Sequence, residues 1–299
     1  MIEIKNVDKA FDKSKVLSNI SFNIKENETF GLIGTNGAGK STMLRIIAGI
    51  YNVDKGEVLI DGTNVKKNPY CKNEVFYVSD EQYYFPNANI KELIDYYSLY
   101  YSKFDKEKAK KIFNDFELDI NKKIKTFSKG MKKQVFIVLA LCSNAKYILL
   151  DETFDGLDPV MREAVKKLIM TNMHERDFTP IIASHSLREL EDICKNICLL
   201  HKGEIILSDN LDNMKLGLHR VQLVFTENSD MKILDELNIM KKEQRGRVWT
   251  LTIKGEEKYI NDTINKMNCM FYEMLPLTLE EMFISETEGV GYDVKSLTL

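Results

Sequence analysis

Apolar and polar residues alternate along the start of the chain, and that period of two predicts extended strands. Ile2 to Val7 reads as one strand. Val16 to Ile24 reads as the next, with Val16, Ile20, Phe22 and Ile24 apolar. Phe11 stands between them in a polar stretch, suited either to a hairpin core or to an aromatic platform. Thr29 to Ile33 is a short run of the kind a strand buried on both faces requires. From Lys40 to Ile50 the period becomes helical, with Leu44, Ile47 and Ala48 on one face. Glu57 to Ile60 and Val75 to Val78 read as strands, with Asp61-Gly62 a turn between elements. Ile90 to Tyr101 has Ile90, Leu93, Ile94, Tyr97 and Tyr101 at helical spacing. After the break at Phe127-Ser128-Lys129-Gly130-Met131, a helix is predicted to about Leu141. Tyr147 to Leu150 is an apolar strand ending in Asp151 and Glu152, followed by a turn at Asp155 to Pro159. Pro180 to Ala183 is another strand, ending at Ser184-His185. Ile197 to Leu200 and Glu204 to Leu207 form a hairpin around Lys202-Gly203.

Strands alternating with helices predict an α/β fold whose ligands lie at the C-terminal ends of parallel strands. The pattern changes near Asp209 to Leu218. Beyond it the chain reads strand (Val221 to Phe225), helix (Met231 to Leu237), strand (Val248 to Ile253), helix (Lys258 to Met267), strand (Met270 to Met274) and helix (Leu279 to Ser285). The expected organisation is a main domain over 1–215, with a helical part at about 87–145, and a small α+β domain over 216–299.

Composition narrows the class. The chain has 299 residues, 44% hydrophobic and 29% charged, as soluble globular proteins do. A formal net charge of −3 leaves no electrostatic footprint for nucleic acid. No apolar run approaches the ~20 residues of a membrane span, and Met1 to Lys5 is no signal peptide. The five cysteines lack metal-ligand spacing. Cys194 and Cys198, four apart, would share a face if helical and are expected to be buried, reduced thiols. The basic runs Lys106 to Lys111 and Lys122 to Lys125 read as solvated helix faces.

The candidate chemistry begins at Gly34-Thr35-Asn36-Gly37-Ala38-Gly39-Lys40-Ser41, which fits G-x-x-x-x-G-K-[ST] between a strand and a helix. Its glycines let successive N–H groups converge on anionic oxygens, and the helix N-terminus adds partial positive charge. Lys40 would reach the β- and γ-phosphates of a nucleotide, and the Ser41 hydroxyl would ligate Mg²⁺.

These motifs, in this order, resemble the ATP-binding subunit of an ABC transporter over about residues 1 to 215. The resemblance implies a P-loop NTPase cassette: a mixed sheet core with an antiparallel β subdomain and a helical subdomain, here followed by the accessory domain. It implies ATP and Mg²⁺ as cofactors. The phosphate loop would bind ATP through Asn36, Gly37, Ala38, Gly39, Lys40, Ser41 and Thr42, with Phe11 stacking on adenine. Asp151 and Glu152 match the family's Walker B motif: Asp151 would hold Mg²⁺ through water, with Glu152 as the base that orients the attacking water. His185 matches the switch histidine, donating to the γ-phosphate, and Asp158 the D-loop. Ser128 and Gly130 stand in the signature segment, which in this family binds the γ-phosphate on the opposite subunit.

Three departures from the family pattern stand out: Lys129 and Met131 in the signature, Thr153 after the glutamate, and Asp80 where a glutamine is usual, with Gln82 two residues on. Asp80 is expected to reach the metal when the assembly closes and otherwise to stay withdrawn in solvent. Ser-Lys-Gly-Met signatures resemble those of bacitracin-resistance and other antibiotic or peptide exporters, as does the C-terminal segment Leu275 to Phe283. The resemblance implies a homodimer or heterodimer of cassettes on separate transmembrane permease subunits, at the cytoplasmic face of the membrane. Tyr83, Tyr84 and Phe85 would lie by the groove that receives the membrane subunit. The rivals are a soluble cassette ATPase acting on ribosomes or DNA and a non-exporting regulatory cassette. The first usually carries two cassettes, a coiled coil or a basic surface; Asp151, Glu152 and His185 argue for hydrolysis against the second.

Overall fold

The computed structural model describes residues 1–211, 217–226, 231–275 and 277. The chain divides into two units, Met1–Ser208 and Asp209–Leu299.

In the first unit, β1 (Ile2–Phe11) and β2 (Ser14–Ile24) form the expected hairpin. With β4 (Lys55–Ile60) and β5 (Thr63–Asn64) they make an antiparallel sheet ordered β2-β1-β4-β5. The second sheet has the order β10-β9-β3-β8-β7-β6. Its members are β3 (Phe30–Ile33), β6 (Val75–Val78), β7 (Tyr147–Asp151), β8 (Thr179–Ser184), β9 (Asn196–His201) and β10 (Glu204–Asn210). Strands β6, β7, β8, β3 and β9 run parallel. Every residue of β3, β7 and β8 is buried, as continuous apolar runs covered on both faces require. This is the mixed cassette architecture expected from the sequence.

Helix α1 (Lys40–Ile47) packs Met43, Leu44, Ile46 and Ile47 into a core shared by both sheets. It ends earlier than its apolar pattern suggested, because Gly49 turns the chain at φ +67°. Helices α2 (Ile90–Tyr100), α3 (Lys106–Asp115) and α4 (Lys129–Cys142) form the excursion between β6 and β7. Helices α5 (Pro159–Glu175) and α6 (Leu187–Leu190) follow. Cys194 and Cys198 do not share a helix face: Cys194 follows α6 and Cys198 lies in β9, both buried and free.

Register levels the ends of the parallel strands. Val78 pairs with Leu150, Asp151 with Ala183 and Ile33 with Ser184. The segments that leave these strands therefore emerge along one edge: Ser79-Asp80, Asp151-Glu152, Ser184-His185 and the phosphate loop.

In the second unit, β11 (Leu218–Val224), β12 (Asn238–Arg245), β13 (Val248–Lys254) and β14 (Phe271–Leu275) form an antiparallel sheet, order β12-β13-β11-β14. Helix α7 (Glu257–Asn265) packs Ile260 and Ile264 against Val221, Leu223, Leu251 and Ile253. Strand β12 escaped the sequence reading because it is an edge strand of mostly exposed polar residues without alternation. The helix expected from Met231 is a 3₁₀ segment, Met231–Glu236. The helix expected at Leu279 to Ser285 lies outside the described residues.

Candidate functional site

Four of the long helices carry a side-chain cap: Asn89 on α2, Asp105 on α3, Ser128 on α4 and Asp158 on α5. Helix α1 has none. Its N-cap is Gly39 at φ 107°, and its first turn holds no acidic residue. The opening N–H groups and the positive end of that helix are thus left for an outside anion. A Cβ at Gly39 would meet Leu17 Cδ2 at 2.6 Å, and one at Gly34 would meet the Leu200 carbonyl at 2.4 Å, so both positions require glycine. The loop lines a recess of about 260 Å³ with Asn36, Gly37, Ala38, Gly39, Lys40, Ser41, Thr42, Asp80 and Glu152. A wider recess of about 370 Å³ near Tyr51 and Lys72 offers no such cradle, and Lys72 there is committed to the Gly49 carbonyl at 2.9 Å.

Charge concentrates at the rim. The Lys40 ammonium is buried. It donates to the carbonyls of Gly34 at 2.6 Å and Thr35 at 3.3 Å, and pairs with Glu152 Oε1 at 3.0 Å. The other Glu152 oxygen lies 2.8 Å from His185 Nδ1. Glu152 itself sits at φ +47°, the left-handed region that non-glycine residues avoid. Its N–H continues the ladder to the Ala183 carbonyl at 3.0 Å. Behind His185, the Ser184 hydroxyl donates to buried Glu189 at 2.6 Å, which fixes the strand end carrying the histidine.

Asp151 is almost wholly buried and accepts from the Ser41 hydroxyl at 2.9 Å and the Tyr77 hydroxyl at 2.8 Å. Burial pushes its carboxyl above the usual range, and the nearby Glu152 carboxylate adds to this, against the two donors. A buried carboxylate beside a hydroxyl oxygen is the hard-oxygen pair that Mg²⁺ prefers, and a cation would relieve the desolvation. Ser41 and Asp151 therefore fit the metal, and the glycine cradle with Lys40 fits a nucleotide's phosphates.

The remaining candidates are more spread out. Phe11 is 39% exposed at the end of β1, edge-on to Tyr51 at 5.2 Å, so it is no core residue. Ser128 caps α4 by accepting from Met131 N at 3.2 Å, and Asp158 caps α5 by accepting from Met161 N at 3.0 Å. A Cβ at Gly130 would lie 3.3 Å from the Gly156 carbonyl, so the signature segment rests on the turn before Asp158. None of Phe11, Ser128, Gly130, Asp158 or His185 lines the phosphate-loop recess.

Asp80 does line it, but the expectation that it stays withdrawn in solvent fails. It pairs with Lys133 at 3.0 Å and Lys129 at 3.6 Å. Partial burial would raise its carboxyl, but the two ammonium groups hold it below the ordinary value. Gln82 turns its amide back onto the carbonyls of Ser79 and Asp80, at 2.9 and 3.1 Å.

Two residues at the site were missed in the sequence. Tyr77 is readable as a polar tip at the end of a strand beside the aspartate strand. Lys133 precedes Phe136, Ile137 and Ala140 at helical spacing, which places it on the buried face of α4.

The ABC transporter family profile matches residues 17–155. The ABC transporter ATP-binding protein YtrB of Bacillus subtilis is 34% identical over 97% of this chain and 99% of its own length. The chain belongs to the ABC transporter ATP-binding family. The linearmycin resistance ATP-binding protein LnrL of B. subtilis is 31% identical, covering 69% of this chain and 68% of its own. The solved dimer of the cassette MJ0796, in a post-hydrolysis state with ADP and Pi, superposes with a TM-score of 0.65 at 25% identity. That match spans 71% of this chain and 99% of the other. ABC cassettes in general bind ATP, typically with Mg²⁺, hydrolyse it, and work as dimers with separate transmembrane components. No helix among the described residues of this cassette is long and apolar enough to cross a membrane.

Proposed function

We propose that this chain is the ATP-hydrolysing subunit of a bacterial exporter, moving an antimicrobial or amphipathic peptide or drug through separate membrane subunits. The observation that carries the reading is the Glu152 carboxylate, held between Lys40 of the phosphate cradle and His185. A base at that point can take a proton from water beside the phosphates that the cradle binds. Lys40 exchanges Glu152 for the β- and γ-phosphates. His185 donates to the γ-phosphate and reports its presence to β8. Ser41 and Asp151 hold Mg²⁺, which when bound neutralises charge on the phosphates. Phe11, exposed at the hairpin end, stacks on adenine. Ser128, Gly130 and the Asp158 turn serve the site of the facing cassette, in a homodimer or a heterodimer.

The docking face is an aromatic recess of about 200 Å³ lined by Tyr77, Tyr83, Tyr84, Phe85, Tyr96 and Tyr97, among others. Tyr83 is 81% exposed, which suits an aromatic that meets a partner helix. The likeness to a linearmycin resistance protein and the Ser-Lys-Gly-Met signature support the exporter reading. Docking through this recess would hold the cassette on the cytoplasmic face of the membrane.

The test is Glu152→Gln. Hydrolysis should fall by about 10²- to 10⁴-fold while ATP binding persists. A variant turning over near the wild-type rate would remove Glu152 as the base. Purification of the tagged chain from membranes should bring a protein with several apolar spans, and loss of this chain should raise drug or peptide retention in cells.

A further inference from the structure

Lys133 lies outside every motif, yet its side chain is fully buried. A buried ammonium is costly unless it is paired and hydrogen-bonded. Lys133 has both kinds of partner: Asp80 Oδ1 at 3.0 Å, and the main-chain carbonyl of Glu152, to which it donates. That carbonyl belongs to a peptide in the left-handed conformation, with φ +47°. The neighbouring N–H is held by Ala183 at 3.0 Å. Lys133 therefore fixes one end of the peptide whose side chain reaches Lys40 and His185.

Its other partner sits on a different segment. Asp80 opens the loop that carries Tyr83, Tyr84 and Phe85. Gln82 cross-links that loop internally by donating to the carbonyls of Ser79 and Asp80. The preceding helix residue, Lys132, lies over the Tyr84 ring at 5.4 Å. Lys129, at 3.6 Å and more than half exposed, offers the Asp80 carboxylate an alternative partner on the solvent side. A small shift of the aromatic loop can thus trade Lys133 for Lys129 without stranding the carboxylate.

We propose that Lys133 is a positioning residue that sets the Glu152 peptide and, through Asp80, makes the base respond to occupancy of the aromatic recess. This rests on the ATPase reading above.

The experiment measures kcat, ATP affinity and stimulation by the membrane subunits for wild type, Lys133→Met, Asp80→Asn and the double variant. Methionine keeps the length of the side chain and removes its charge. Lys133→Met is expected to lower kcat about tenfold while ATP affinity stays within about twofold, a split that general loss of structure would not produce. Stimulation should fall in Asp80→Asn, and the double variant should be no worse than Lys133→Met, the non-additivity of two groups in one path. Wild-type kcat in Lys133→Met, or additive losses, would overturn the proposal. If Lys133→Met is insoluble, Asp80→Asn carries the test, and undiminished stimulation overturns it. A wild-type chain without ATPase activity in any condition would overturn the functional reading and this inference with it. A wild-type ATPase matched by Lys133→Met sinks this inference alone.

Discussion

At the scale of single residues, the site is a set of buried charges whose partners decide their use. Tyr77 illustrates the point. Its hydroxyl donates to Asp151, while the same side chain lines the aromatic recess. Tyr77→Phe keeps the ring packed and removes one hydrogen bond to a carboxylate. Such a bond is worth about 1.5–3 kcal/mol before solvent and the metal compensate. The Mg²⁺ concentration for half-maximal hydrolysis should therefore rise by about three- to tenfold, measured as rate against Mg²⁺ at saturating ATP. An unchanged Mg²⁺ dependence would show that Ser41 alone orients Asp151. Phosphate-loop residues are legible in sequence because glycines at a fixed spacing have few other uses. Tyr77 and Lys133 carry only the faint signals of strand-end position and helical spacing, and a tyrosine in a strand or a lysine in a lysine-rich helix start is ordinary until the fold shows what it touches.

At the scale of elements, strong periodicity translated well. The parallel strands, α1, α2 and α4 stand where apolar spacing put them, because burial on both faces or on one stripe leaves a clear signature. Strand β12 failed for the converse reason: an edge strand answers to one neighbour and to water. The loop after β6 was legible only as a cluster of aromatics, and its split between packing and exposure needed coordinates. Phe85 meets Tyr96 edge-on at 4.9 Å, whereas Tyr83 stands mostly in solvent. Replacing Tyr83, Tyr84 and Phe85 together with alanine should reduce co-purification of the membrane subunit by about tenfold or more, a modest loss for three interface aromatics. ATP binding by the isolated cassette should be retained. Unfolding of the isolated variant would instead mark the loop as part of the core.

At the scale of the whole molecule, two units with separate cores predict separable folding. The first holds every candidate for nucleotide chemistry, and the second has its own sheet and its own apolar cluster. We expect the second to stabilise or regulate the dimer. A chain ended at about Gly217 should remain folded and bind ATP, with self-association weakened in sedimentation or light scattering. An insoluble product would show that the first unit depends on the second. The sequence places a change near Asp209 to Leu218, where phosphate-type motifs stop and a new strand–helix alternation starts; the units part at Ser208 and Asp209.

The pairing of Lys40 with Glu152 has a thermodynamic corollary. Glu152 is an anion tethered to the chain that binds nucleotide, so it competes with phosphate at a high effective concentration. Measured ATP affinity is then a difference, the intrinsic grip of the cradle less the cost of evicting an internal rival. Neutralising Glu152 should weaken the rival as well as slow turnover. Glu152→Gln is therefore expected to bind ATP more tightly at equilibrium as well, an effect visible where no hydrolysis occurs, such as in chelator.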